Sequence, residues 1–588
     1  MNLVRTGGIS GEKGNWRQQV LRLAGALLGG LVCLCAQCAP AADESVSSFA
    51  PKDWLDKVQT WCMVPVLPET ARALHVTVNG VWGGIGGINP LLTHREVASE
   101  VEATYGDNTA AFVAACREAG LLVPGIVNGI EGFLTLRAVW PDLDKMACWN
   151  AAGKPAQVSE EMLLMCVNNP NWQQWELDWG KRAIDEGADL VMLDTPMSAS
   201  FISGFLKAGF CPHCLANFQQ YLESKYTETE LKERFGLETF DPQKVIALLA
   251  PLQDLSSPAN RPHHNSSKED LLFREFIYCQ EQASFDTRKK LLSELREYAA
   301  AQGRQVAFAT NASDLGTVNP GGHWVRALMF ADLVDLFVYE QNPEPEGMMS
   351  NQAMKYPRGK GVAYHKLAQA IHHRRAPAVI HASQMGTVLV DVLTKGVATN
   401  SWFEAQSAEA YATNGAYVQY YVSPDNVKRL FLEKCWSGSA EHARFVLSHR
   451  DLYEGELRSG SSLGVLFLYN ERGRTIPGVY PSYLGFAQGL AEGNYPFDVV
   501  FAGDGHYVQD RLTASDLAPY RVLLVPSPIA PTPGQQQVVR DYVTSGGTVV
   551  CQEPEALGLS AALEAQDADM PTRSDEPQSE LQSRKDSS

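Results

Sequence analysis

Between Leu74 and Ser423 short apolar runs alternate with longer stretches of helical periodicity, and this alternation limits the fold more than any other feature of the chain. The strand-like runs are Ala73 to Trp82, Leu121 to Gly129, Met162 to Pro170, Leu190 to Asp194, Gln305 to Asn311, Leu333 to Gln341, Ala376 to Ser383 and Gly415 to Ser423. Helical patterns separate them, at Thr109 to Gly120, Asn171 to Gly187, Glu269 to Gln302 and Val388 to Val397. Leu190 to Leu193 has no polar face, as expected of a strand covered on both sides in a parallel sheet. Eight strands separated by helices over roughly 350 residues predict a (β/α)₈ TIM barrel with insertions. The competing fold is an open doubly wound sheet, which wants a phosphate loop after its first strand. The run "VNGVWGGIGGINP" has glycines but no G-x-G-x-x-G entering a helix.

In such a barrel the carboxyl ends of the strands line the functional face. Asp194 ends the fourth predicted strand and Glu340 falls at the end of the sixth, so two carboxylates from separate strands are expected at one mouth. Asn128, Asn168, Asn169 and Asn311 end other strands, and Trp82 and Trp402 fall nearby. Amides around paired acids suit a polyhydroxylated ligand, because each hydroxyl wants a fixed donor or acceptor. The same residue types also cap helices and turns. Trp172, Trp175 and Trp179, three and four apart on a helix, read as core.

The 588 residues carry a formal charge of −18, and no basic run appears after the first 42 residues. Phosphate backbones need such clusters, so a nucleic-acid partner is excluded and a neutral or weakly charged glycan is favoured. Residues 1–42 have a basic start (Arg5, Lys13, Arg17, Arg22), an apolar core (Leu23 to Ala36) and Ala39-Pro40-Ala41, the pattern of a signal peptide. A secreted or periplasmic protein with no membrane span after its removal is expected. The segment 564–588 lacks aromatics and is rich in charge and Ser, as disordered tails are. Beyond the leader the cysteines are scattered, and only Cys211 and Cys214 are tightly spaced. With His213 and His263-His264 they are a candidate zinc set, and equally a local disulfide or buried thiols. No cofactor is otherwise expected.

After Ser423 the strands shorten: Leu463 to Asn470, Tyr495 to Asp504, Tyr520 to Ser527 and Gly546 to Glu553, with helices between them. Residues 440–563 are expected to form a small flavodoxin/amidotransferase-like α/β sandwich beside a barrel of residues 43–439. The run "FDVVFAGD…LTASDLAPYRVLLVPSPIAPTPGQQQVVRDYVTSGGTVV" resembles the glutamine-amidotransferase-like trimerisation domain that follows the barrel in glycoside hydrolase family 42 β-galactosidases. "VNNPNWQQWELDWGKRAIDEGADLVMLDTP…FCPHCLANFQQYLESKY" resembles secreted bacterial glycosidase barrels that carry the same domain. The resemblance implies a secreted glycoside hydrolase, and a second domain that either joins copies into a homo-oligomer or braces its own barrel. Family 42 enzymes present glutamates at the ends of strands four and seven, where this chain has Asp194-Thr195 and His381-Ala382-Ser383. An acid pair on strands four and six is similar in position to α-galactosidase-like barrels, which implies Asp194 as nucleophile. Glycosidic cleavage also needs a protonated carboxyl toward the leaving oxygen, so Glu340 is the expected general acid/base, and His381 at the end of strand seven is an expected substrate-binding residue. The alternatives are a catalytically inactive carbohydrate-binding barrel and a zinc-dependent hydrolase.

Overall fold

The computed structural model of the chain describes residues 55, 58–62, 65–80, 99–106, 108–129, 131–138, 140–160, 162–194, 208–253, 267–311, 328–341, 359–372, 378–381, 400–419, 436–453, 460–469, 479–526, 531–551, 554, 555, 557 and 559. In chain order the strands are β1 (Thr60–Cys62), β2 (Val78–Asn79), β3 (Pro124–Asn128), β4 (Glu131–Phe133), β5 (Gln157–Ser159), β6 (Met162–Leu164), β7 (Leu190–Asp194), β8 (Ala307–Asn311), β9 (Leu336–Gln341), β10 (Ala378–His381), β11 (Ala416–Gln419), β12 (Leu463–Leu468), β13 (Asp498–Ala502), β14 (Val522–Val525) and β15 (Thr548–Cys551).

Eight strands pair in the order β2-β1-β11-β10-β9-β8-β7-β3, every pair parallel. The ends of that row meet. Val78 bridges Leu122 in parallel, Leu122 N–H donates to Thr77 O at 2.9 Å, and Asn79 N–H donates to Leu122 O at 2.9 Å. The sheet is therefore closed into the eight-stranded parallel barrel that the alternating pattern predicts. Trp61, Ile126, Leu190, Met192, Ala309 and Val338 share its inner core. Val127, Val191, Leu193, Phe308 and Phe337 stand one residue out of phase and join the larger core under the helices.

Two expectations about strand order are corrected. Thr60–Cys62 is the first barrel strand, although three residues are too few to show a period. Met162–Pro170, expected as the third, supplies only β6, which pairs antiparallel with β4 and β5 in a separate three-stranded sheet. An apolar run of this length fits a parallel core strand or a hairpin strand equally well, and periodicity does not separate them. The two differences cancel, so β7, β9 and β10 are still the fourth, sixth and seventh barrel strands. The predicted helix Val388 to Val397 lies outside the described residues, and the described helix before β11 is Asn400–Ala412.

The helix Pro170–Asp185 starts with Asn169 as its cap, whose side chain accepts the Asn171 N–H at 2.9 Å. Its stripe of Trp172, Trp175 and Trp179 is buried against the barrel. The Trp179 indole donates to Ile126 O at 3.0 Å and the Trp172 indole to Gly129 O at 3.0 Å, so this face satisfies carbonyls along and just beyond β3 as well as burying rings. Gly180 allows close packing on the 34-residue helix Lys268–Ala301, since a Cβ there would stand 2.6 Å from Leu295 Cδ1.

A second sheet, ordered β13-β12-β14-β15 and all parallel, carries the helices Val479–Glu492 and Pro533–Thr544. It shares one contiguous core with the barrel. Phe285 meets Tyr507 with ring centroids 5.1 Å apart, and Asp332 accepts the Gln509 N–H at 2.7 Å and pairs with Arg511 at 3.1 Å. Tyr483 donates to Ala363 O at 2.8 Å. Among the described residues no helix is long and apolar enough to cross a membrane.

Candidate active site

Strand register decides which residues meet. Asn128 on β3 is paired with Asp194 on β7, and Leu193 with Thr310 on β8, which puts Asn311 level with Asp194. Ile126, Met192 and Ala309 lie in the inner core, and two residues on in each strand come Asn128, Asp194 and Asn311. The two-residue period thus gives all three the inward phase at the carboxyl ends of adjacent strands. Asp194 is 2 % exposed, and its Oδ1 accepts the Asn311 side-chain N–H at 3.0 Å. A carboxylate buried to this degree is normally held by donors, and Asn311 supplies one.

The other expected site residues are placed as follows. Glu340 is paired in register with Ile380, and His381 with Gln341, at the ends of β9 and β10; the side chains of Glu340 and His381 lie outside the described residues. Trp82 lies wholly outside them, and Trp402 belongs to the helix Asn400–Ala412 with its side chain likewise undescribed. Asn168 and Asn169 do not follow a barrel strand, because the strand before them belongs to the separate sheet. Asn169 is a buried helix cap whose amide also donates to Lys145 O at 3.0 Å. The Asn168 amide lies against Cys214 Sγ at 3.5 Å and Gln280 Oε1 at 3.4 Å.

Beneath the β3 end lies a buried ion pair that the sequence does not announce. Arg288 Nη1 contacts Glu176 Oε1 at 2.6 Å with both side chains 0 % exposed, and Arg288 Nη2 donates to Gly129 O at 2.8 Å. Gly129 N–H in turn donates to Asp194 O at 2.8 Å, so this pair and the Trp172 indole fix the turn that follows Asn128. Burial pushes the Glu176 carboxyl up to about 7, outweighing the charge and hydrogen bond of Arg288, and among the described residues its Oε2 has no partner. For an acid raised in the fold, the native state holds the proton more tightly, so stability is lost as pH rises from the usual carboxyl value of 4.5 through about 7. The loss is on the order of 3 kcal/mol. Glu176→Gln keeps an acceptor for Arg288 and should flatten this part of the profile. Urea unfolding at pH 5 and pH 8 checks it, and equal slopes for both proteins would refute the assignment.

The structure also gathers Cys148, Cys166, Cys211 and Cys214, all buried, with their sulfurs within 4.8 Å of one another. Cys166 Sγ is 3.4 Å from that of Cys211 and 3.5 Å from that of Cys214. Four thiolates on a zinc ion at ~2.3 Å stand about 3.8 Å apart, inside this spread. The four thiols share S–H hydrogen bonds, which pull the Cys211 thiol down, while the Cys148 and Cys214 thiols are pushed up. Only half of the set was expected, and His263 and His264, its expected completion, lie outside the described residues. Cys148 and Cys166 are the members missed. A closed, buried four-sulfur set is the donor pattern of a structural zinc and leaves no ligand position for water, which counts against a zinc hydrolase built on it.

A closed parallel barrel with polar strand ends, continued by a small parallel α/β domain, is a (β/α)₈ fold similar to that of glycoside hydrolase family 42 β-galactosidases. Gan42B, a family 42 β-galactosidase from G. stearothermophilus, is similar with a TM-score of 0.55 at 11% identity, covering 84% of this chain and 71% of its own. The β-galactosidases of Bacillus circulans sp. alkalophilus (TM-score 0.51, 12% identity, 84% and 71% covered) and the psychrophilic Marinomonas ef1 (0.50, 13%, 84% and 76%) have the same fold. No family model matches the chain, and no curated protein matches it in sequence.

Proposed function

We propose that the chain is a secreted or periplasmic glycoside hydrolase acting on a neutral or weakly charged glycan, with Asp194 as nucleophile and Glu340 as general acid/base. The observation that carries the reading is the placement of Asp194. It is a buried carboxylate at the end of the fourth strand, held by Asn311 and level with Asn128. Glycosidic cleavage needs one ionised carboxylate against the oxocarbenium-like centre and one protonated carboxyl toward the leaving oxygen. Asp194 and Glu340 end the fourth and sixth strands, which are not neighbours in the sheet. Asn128 and Asn311 beside Asp194 supply fixed amides for sugar hydroxyls.

The fold likeness to β-galactosidases makes β-galactosides the first substrates to try, and fold alone does not name the sugar. The test is saturable hydrolysis of at least one member of a panel of 4-nitrophenyl α- and β-glycosides between pH 5 and 7. No turnover across aryl and oligosaccharide panels, with oligosaccharide binding retained, would favour an inactive carbohydrate-binding barrel.

A further inference from the structure

We propose that a groove on the outside of the barrel, between the helix Pro170–Asp185 and the segment carrying Trp140 and Met146, is a second carbohydrate-binding site. This rests on the glycan reading above but uses none of its residues. The groove encloses about 550 Å³, inside the ~300 to 1,000 Å³ range of small-ligand sites. Its aromatic walls stand at right angles. The Trp140 ring lies 6.0 Å from that of Trp175 at 88°. Trp175 is sandwiched between Trp172 (4.2 Å, 18°) and Trp179 (5.4 Å, 25°), so both its faces are covered and its edge is what remains for the groove. Trp140 packs against the core and is only half-buried, so part of its surface stays open beside the groove, where the apolar face of a pyranose would lie.

A polar rail runs beside these rings. Gln174, Asp178 and Arg182 follow one another at four-residue spacing on the exposed side of the helix, about 6 Å between successive groups and close to the length of one pyranose unit. Each is held in place: Gln174 Nε2 donates to Asp178 Oδ1 at 2.8 Å, Arg182 Nε donates to Glu186 Oε1 at 2.8 Å, and the Arg182 guanidinium lies 5.8 Å from the Trp179 ring centroid. The planar amide, carboxylate and guanidinium keep further donors and acceptors for hydroxyls. An aromatic wall with preset planar polar groups is what a sugar needs; a protein partner would call for a broader apolar face.

The test uses the full chain with Asp194→Asn, titrated with β-1,4-linked galactotetraose, cellotetraose and xylotetraose and followed by tryptophan fluorescence and calorimetry. At least one should bind. Adding Trp140→Ala should weaken it on the order of tenfold, and Trp140→Phe should restore most of that loss. With Asp194 intact, Trp140→Ala should leave hydrolysis of small aryl glycosides unchanged. Equal affinity with and without Trp140 overturns the site, as does failure of all three sugars to bind. A self-associated form that Trp140→Ala dissociates overturns it in favour of an interface between copies. Failure of the hydrolase reading looks different: no aryl glycoside turnover, with Trp140-dependent binding intact.

Discussion

Asp194→Asn is expected to lower kcat/KM on the best aryl glycoside by on the order of 10³-fold or more while leaving the thermal midpoint near that of the wild type. The two halves have separate physical grounds. The amide has the shape of the carboxylate, and its carbonyl oxygen can still accept the Asn311 N–H now made to Oδ1 at 3.0 Å. The buried end of β7 therefore keeps its partner and packing. On the proposed mechanism, what is lost is the negative charge and the nucleophilic oxygen that would face the sugar's anomeric carbon, and these matter only as positive charge develops there. A thousandfold loss is about 4 kcal/mol of transition-state stabilisation, more than a rearranged hydrogen bond accounts for. A large fall in stability would mark Asp194 as structural. Unchanged turnover would remove it from the mechanism. Glu340→Gln is the companion, expected to harm substrates with poor leaving groups most, because those depend on protonation of the departing oxygen.

Parts of this site are legible in the sequence because they are local. Leu190 to Leu193 is an unbroken apolar run ending on an acid, and the barrel rule turns a strand end into a position on the mouth. Asn128 and Asn311 are legible for the same reason. What is not local stays hidden. Thr60–Cys62 is too short to show a period, yet it closes the barrel between β2 and β11. Asn168 and Asn169 look like strand ends until the antiparallel sheet of β4, β5 and β6 takes the strand before them out of the barrel. Glu176 sits among tryptophans as an ordinary polar helix residue, and its partner Arg288 comes from 112 positions away. Cys148 and Cys166 carry no metal-binding spacing of their own. Only the fold of the inserted sheet against the helix Pro212–Lys225 brings them to Cys211 and Cys214.

The purified chain is expected to contain about one zinc per molecule, and Cys166→Ser to lose it and lower the thermal midpoint by on the order of 10 °C. Cys166 is the member to change because it lies centrally, 3.4 Å and 3.5 Å from the sulfurs of Cys211 and Cys214. The four cysteines also belong to a separate apolar cluster, with Phe210, Phe218, Phe273 and Phe276, that joins the inserted sheet to the helices Pro212–Lys225 and Lys268–Ala301. A metal there ties segments that are distant in sequence and stabilises the fold by binding only the assembled state. Cys279→Ser is the control, since Cys279 is buried in the same cluster, accepts from Asn217 at 3.3 Å, and is outside the four-sulfur set. Its cost should be that of one buried thiol, with zinc content unchanged. The rival state is oxidised, because the proposed export would put the chain under conditions that favour disulfides. Two bonds among these sulfurs would need pairs to close to about 2.05 Å from their spacing in this structure. Elemental analysis with intact-mass measurement separates the two: one zinc and free thiols support the metal centre, whereas no zinc and a mass four hydrogens lighter assign the cluster to disulfides.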